Sequence, residues 1–190
     1  FISLHDTLHI EKSNTPTLKL NATLPDIPQD NNLILQAATL LQQHTHCTYG
    51  AEISLEKNIP IGGGLGGGSS DAASTLLALN TLWDLQLTLE ELCMLGVQLG
   101  ADVPIFIHGH ACWAEGIGDK LTTITLPEPW YLLLLPNIHC STAALFQDPQ
   151  LHPSSSPLKR ATYSPNQGHN DFEPLVRKLY PEIDRIMTKL

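Results

Sequence analysis

Positive charge is scarce in this sequence. Ten lysines and arginines stand against nineteen aspartates and glutamates, a formal net charge of −9. A basic surface for nucleic acid or for an anionic membrane is therefore not expected, and the partner implied is a small molecule. Long apolar runs are missing too. The longest, Trp130 to Leu135, has the length of a strand, not of a membrane span. The four cysteines, at 47, 93, 112 and 140, form no C-x-x-C pair. Free thiols in a reducing compartment follow, and with no visible transit segment the expected setting is a bacterial cytoplasm. The chain opens on Phe1 without methionine or a signal-peptide pattern, and reads as a stretch of a longer protein.

What is present suffices for a globular fold. Hydrophobic residues make up 42% and charged residues 15% of 190 positions, enough for one large domain or two small ones. Residues 1–10 and Thr17 to Asn21 alternate and predict two strands of a hairpin or meander. Leu24 to Pro28 is a turn region. Asp30 or Asn31 can cap a helix through Leu33, Ile34, Ala37, Ala38, Leu40 and Leu41. Ala51, Ile53 and Leu55 alternate with Glu52, Ser54 and Glu56, the pattern of a half-buried strand.

That strand leads into Lys57-Asn-Ile-Pro-Ile-Gly-Gly-Gly-Leu-Gly-Gly-Gly-Ser-Ser-Asp-Ala-Ala73, with six glycines between Gly62 and Gly68. Without Cβ atoms such a loop can take positive φ and bring backbone amides close to a ligand. A helix starting at Ser69 or Ser70 would add orphan N–H groups and a positive dipole end, together an anion cradle for polyphosphate. The competing reading is a flexible linker, but linkers seldom join a strand to an amphipathic helix. The loop lacks the Gly-Lys-Ser/Thr ending of a Walker motif and departs from the dinucleotide fingerprint. Ser69 and Ser70 could cap the helix, bind phosphate or ligate Mg²⁺.

Ala72, Leu76, Leu79 and Trp83 lie on one helical stripe. Thr88-Leu-Glu-Glu91 is a capping box for a helix bearing Leu89, Leu92, Cys93 and Leu99 and closed by Gly100. Asp102 follows, set among apolar residues, either buried and hydrogen-bonded or presented in a cleft. Val103 to Ile107 reads as a short strand or extended turn because of Pro104. A phosphotransferase needs a group to deprotonate the acceptor hydroxyl, which gives Asp102 weight beside such a loop. The run Trp130 to Leu135 predicts a buried strand, and Pro127 and Pro129 a lobe boundary. Residues 152–168 read as an exposed loop, and Asn170 to Glu173 as the cap of a last helix that Pro181 breaks or kinks. The H-x-H steps at His44/His46 and His108/His110 lack a third ligand, so no protein-held metal is expected.

Taken together these motifs resemble a known family. Pro60 to Ser70 is similar to the phosphate-binding motif of the GHMP small-molecule kinases. Leu99-Gly-Ala-Asp-Val-Pro104, Gly109 to Gly118 and Asn170-Asp-Phe-Glu-Pro-Leu-Val176 resemble the branch that phosphorylates the 2-hydroxyl of a cytidine-diphosphate-linked methylerythritol in non-mevalonate isoprenoid synthesis. The resemblance implies an α+β, two-lobe GHMP kinase fold. Residues 1–127 would form a ribosomal-protein-S5-like, ATP-binding lobe shortened at its start, and 128–190 part of the substrate lobe. It implies ATP and Mg²⁺ as cofactors and Asp102 as catalytic base contacting substrate. Pro60, Ile61, Gly62, Gly63, Gly64, Leu65, Gly66, Gly67, Gly68, Ser69 and Ser70 would wrap the phosphates. Asn32, Leu33 and Lys57 would line the adenine pocket, while Thr142 and Phe146 meet cytidine. Two family motifs, Pro-Ala-Lys-x-Asn-Leu and a third glycine-rich segment, are not in these 190 residues, so the chain as it stands is expected to turn over little or not at all. Another GHMP kinase, or a nucleotide-binding module without catalysis, are the alternatives.

Overall fold

The computed structural model describes residues 1–22, 28–118, 120–136, 138, 140–152 and 170–189. Helices and sheets segregate as an α+β arrangement. The chain divides into two compact units, Phe1–Glu128 and Pro129–Leu190.

In the first unit, strands β1 (Thr7–Ser13), β2 (Leu18–Asn21) and β3 (Gly50–Glu56) form one sheet in the order β1-β3-β2. β3 pairs antiparallel with β1 and parallel with β2. The expected hairpin of β1 with β2 is therefore not formed, because β3 inserts between them. Gly50 shows how close this insertion is. A Cβ there would stand 2.1 Å from the Thr17 carbonyl oxygen and 2.4 Å from that of Thr15. Only glycine lets the β1–β2 connection fold over the start of β3.

Helices α1 (Leu33–Thr45), α2 (Gly67–Leu82), α3 (Leu89–Leu99) and α4 (Val103–His108) supply the rest of the core. Ile53 and Leu20 of the sheet join Ile34 and Leu41 of α1, Leu76 and Leu79 of α2, Leu92 and Leu95 of α3, and Val103 and Ile107 of α4. The Trp83 side chain closes the end of α2, its ring N–H donating to the Gly50 carbonyl at 3.1 Å. A two-stranded hairpin, β4 (Cys112–Glu115) with β5 (Lys120–Thr123), completes the unit.

Several local expectations are corrected. Asn32 caps α1, not Asp30 or Asn31, its side chain accepting from the Ile34 amide at 2.9 Å; the preceding residues form a 3-10 turn, Gln29–Asn31. The Thr88–Glu91 capping box is present, yet Leu89 is exposed and Leu95 fills the core. Residues 103–107 are helical, not extended. Pro104 sits in the first turn of α4, where its missing N–H has no helical partner to lose. The turn expected at Leu24 to Pro28 falls mostly outside the described residues.

The second unit contains α5 (Thr142–Gln147), α6 (Glu173–Leu179) and α7 (Pro181–Lys189). Asn170 caps the approach to α6, its side chain accepting from the Phe172 amide at 3.0 Å, and Pro181 separates α6 from α7. The run Trp130 to Leu135 is not the buried strand expected. Trp130 is fully exposed, and no strand among the described residues pairs with the run. Apolar composition gives a segment strand propensity, but a ladder partner must also be in place. Residues 153–169, which hold nearly all of the expected exposed loop, lie outside the described residues.

Candidate functional site

The glycine loop leaves β3 through Lys57 and enters α2. Gly62, Gly64 and Gly66 have φ of 72°, 72° and 68°, in the left-handed region that disfavours side chains. Gly66 is the N-cap of α2, so the helix begins at Gly67, ahead of the expected Ser69 or Ser70. Its first helical bond runs from the Ser70 amide to the Gly66 carbonyl at 2.8 Å. The amides of Gly67, Gly68 and Ser69 precede that bond and point out of the helix end. Neither serine caps the helix, and no side-chain capping bond is made there. Both hydroxyls therefore lie in the first turn of a sixteen-residue helix, at its positive end.

Around this loop the fold gathers most of the residues singled out in the first unit. A Cβ on Gly66 would stand 2.9 Å from the Phe106 ring of α4. One on Gly68 would meet Leu33 Cδ1 at 3.4 Å, and one on Gly100 would lie 3.9 Å from Ser69 Oγ. The Gly100–Asp102 turn thus abuts the exit of the loop. Asp102 is the N-cap residue of α4, exposed, with its carboxylate in no capping bond. The buried, hydrogen-bonded alternative is therefore not met: Asp102 is exposed. The β4–β5 turn backs this corner, since a Cβ on Gly118 would stand 2.5 Å from the Ala101 carbonyl oxygen. Beside the loop, Leu65, Ser70, Ile105 and Phe106 help to line an apolar cleft of about 570 Å³.

Lys57 and Asn32 have other attachments. Asn32 is buried, with its side chain in the α1 cap. The Lys57 ammonium donates to Asp6 Oδ2 at 2.5 Å and to Asp71 Oδ2 at 2.8 Å. Asp6 Oδ1 also accepts the amides of Asn58 at 2.6 Å and Ile59 at 2.8 Å. Burial pushes the Asp71 carboxyl up to about 6, against the pull of Lys57, and the neighbouring Asp6 adds to the rise. Burial acts on Asp6 as well, but Lys57 and the two amides hold it below the usual carboxylate value. Sequence reading missed this cluster. The signal lay in strand register: Thr7 pairs with Glu56, which sets Asp6 beside Lys57.

Thr142 and Phe146 belong to the second unit. They are one helical turn apart on α5 and both exposed, with the Phe146 ring edge-on to Phe172 at 4.9 Å between centroids. Among the described residues no group of three or more His, Cys, Asp or Glu side chains could hold a metal ion. No helix among them is long and apolar enough to cross a membrane.

Comparison with known proteins places the chain among its relatives. Residues 32–110 match the family described as GHMP kinases N terminal domain. The 4-diphosphocytidyl-2-C-methyl-D-erythritol kinase of Shewanella halifaxensis is 48% identical over 188 residues, 98% of this chain and 66% of the relative. Its counterpart in Pseudomonas paraeruginosa is 45% identical over 190 residues, 100% of this chain and 67% of the relative. A crystal structure of 4-(cytidine 5'-diphospho)-2C-methyl-D-erythritol kinase superposes with a TM-score of 0.73 at 32% identity, covering 97% of this chain and 68% of that one. Homoserine kinase from Cytophaga hutchinsonii, at 17% identity and a TM-score of 0.55 over 80% of this chain and 53% of its own, shares the fold alone. The chain spans about two thirds of the length of these curated relatives. With identity of 45–48% to these relatives over 98–100% of its length, the chain belongs to the 4-diphosphocytidyl-2-C-methyl-D-erythritol kinase family of GHMP kinases.

Proposed function

We propose that this chain forms the nucleotide-binding wall, and part of the acceptor wall, of an ATP-dependent kinase. Its reaction is transfer of the γ-phosphoryl group to the 2-hydroxyl of 4-diphosphocytidyl-2-C-methyl-D-erythritol. The single observation that supports this reading is the approach of Gly100 to the loop exit, where a Cβ on the glycine would stand 3.9 Å from Ser69 Oγ. Asp102, two residues further along and exposed, supplies the carboxylate in this reading.

In this reading Pro60 to Ser70 wraps the triphosphate, the amides of Gly67, Gly68 and Ser69 meeting its oxygens. Leu33, whose Cδ1 lies 3.4 Å from where a Cβ on Gly68 would stand, gives an apolar edge toward the adenine. Asn32 contributes by holding that edge in place. Asp102 accepts the proton of the 2-hydroxyl as the oxygen attacks in line. Thr142 and Phe146 receive cytidine, the exposed ring stacking on the base. Mg²⁺ would be held by the phosphates and by the hydroxyl of Ser69 or Ser70, since the described residues offer no His, Cys, Asp or Glu cluster for it, and would supply neutralisation of phosphate charge. Residues 1–127 then serve as the ATP lobe and 128–190 as part of the substrate lobe, and the cytosol is the setting.

The test combines binding and turnover. ATP–Mg²⁺ titrated calorimetrically into the chain should bind. Asp102→Asn should leave that affinity within about twofold, while reducing whatever transfer rate the chain shows by about 10²–10⁴. A chain that binds no nucleotide, or a transfer rate indifferent to Asp102, would remove the reading.

A further inference from the structure

A lysine beside a phosphate loop invites the reading that it grips phosphate. Here its surroundings say otherwise. The Lys57 side chain is 15% exposed, and the carboxylates of Asp6 and Asp71 are 3% and 7% exposed. The ammonium is enclosed by both. Lys57 stands on the entry stem of the loop and Asp71 on its exit stem. Their 2.8 Å bond therefore ties the two ends of the glycine segment together. Asp6 fastens the entry stem a second time through the Asn58 and Ile59 amides. The knot is packed tightly: a Cβ on Gly67 would stand 3.0 Å from Lys57 Nζ and 2.9 Å from Ile59 Cγ2.

We propose that Asp6, Lys57 and Asp71 form a buried clamp across the base of the glycine loop, and that Lys57 is a positioning residue, not a phosphate or adenine ligand. The proposal deepens, and rests on, the reading of this loop as the phosphate site. Seven positions with six glycines have large conformational freedom, and a preformed cradle needs that freedom removed before ligand arrives. The clamp removes part of it by joining the two stems of the loop. One lysine between two carboxylates leaves the cluster with an excess negative charge. As a phosphate grip that is the wrong sign, whereas as a tie it is harmless so long as the ammonium stays enclosed.

The experiment is hydrogen–deuterium exchange of the ligand-free chain, followed by ATP–Mg²⁺ titration, on the parent, Asp71→Ala, Asp71→Asn and Lys57→Met. The clamp predicts that Asp71→Ala speeds exchange in the peptides covering residues 60–70 by about tenfold or more, equivalent to about 1.4 kcal/mol. Exchange in β3 and α1 stays as in the parent. ATP affinity falls by a similar factor, and Asp71→Asn, which keeps a polar acceptor, recovers part of both. A lysine that grips phosphate predicts the opposite sign: Asp71→Ala frees the ammonium and tightens ATP binding. Unchanged loop exchange or tighter binding in Asp71→Ala overturns the proposal, as does weaker ATP binding in Lys57→Met with loop exchange unaltered. If Lys57→Met does not fold, the Asp71 pair still decides. If the parent binds no ATP, the phosphate reading fails, and the exchange data judge the clamp by themselves.

Discussion

Gly66 and Phe106 are in a contact that admits no side chain on the glycine. A Cβ on Gly66 would stand 2.9 Å from two carbons of the Phe106 ring, at a φ of 68°. This is where the glycine loop leans on the helix that follows Asp102.

Gly66→Ala should therefore carry two penalties, about 1–2 kcal/mol for left-handed backbone and about 1–3 kcal/mol for overpacking. Gly64→Ala isolates the first, since Gly64 has φ of 72° and nothing within 4 Å of its Cβ position. Urea denaturation of both variants measures the difference. Equal losses of stability would show that the Phe106 contact yields freely.

At the other end of the sheet, Gly50→Ala should be far worse. Its Cβ would meet two backbone carbonyl oxygens at 2.1 and 2.4 Å, which no rotamer change relieves. A loss of about 4–5 kcal/mol or failure to fold is expected. A thermal midpoint within a few degrees of the parent's would contradict the packing described.

Asp71 gives a pH dependence of defined sign. Its carboxyl titrates near 6 in the folded chain, against 3.8 as the ordinary value. The folded state then holds more protons than the unfolded state between those values, so Asp71 favours folding below about pH 4 and loses that contribution as pH rises through about 6. Asp6, held low, acts in the opposite sense at the acid end. Stability of the parent minus that of Asp71→Asn, measured by denaturant titration, should fall from pH 4 to 6.5 and then level off. A difference that grows with pH would refute the assignment.

Phe146→Ala should weaken binding of cytidine diphosphate by about 1–3 kcal/mol, the range for a base stacked on an aromatic ring. ATP affinity should be unaffected. Titrations of the two nucleotides against parent and variant separate these effects. Equal affinity of the variant for cytidine diphosphate would detach Phe146 from the base.

Much of the first unit was legible because its signals are local. The stripe of Ala72, Leu76, Leu79 and Trp83 and the Thr88–Glu91 capping box depend on residues within a few positions of one another, and both are present as read. The loop and Asp102 could be tied to phosphate chemistry from residue type and context. What failed depended on distant partners. Nothing near residue 13 tells β1 that β3, not β2, is its neighbour. The 103–107 segment was misread because Pro104 argues against helix in general but not in a first turn. The Lys57 clamp needed that same long-range register, which sets Asp6 beside the ammonium that Asp71 also holds. The Trp130 run shows the converse, a strong local propensity without a pairing partner among the described residues.

The insertion of β3 between two earlier strands also orders events in time. During synthesis β1 and β2 emerge before β3, the strand to which each bonds in the sheet of the described residues. Both must wait until the whole of α1 has been made and Glu56 has left the ribosome. Their apolar residues, Leu8, Ile10 and Leu20, stay uncovered through that interval, and closing so long a loop is slow. The same event that completes the sheet also brings Asp6 to Lys57. The stem of the glycine loop is therefore fastened at the moment of sheet closure, and a nascent chain halted before residue 56 should be a good substrate for chaperones.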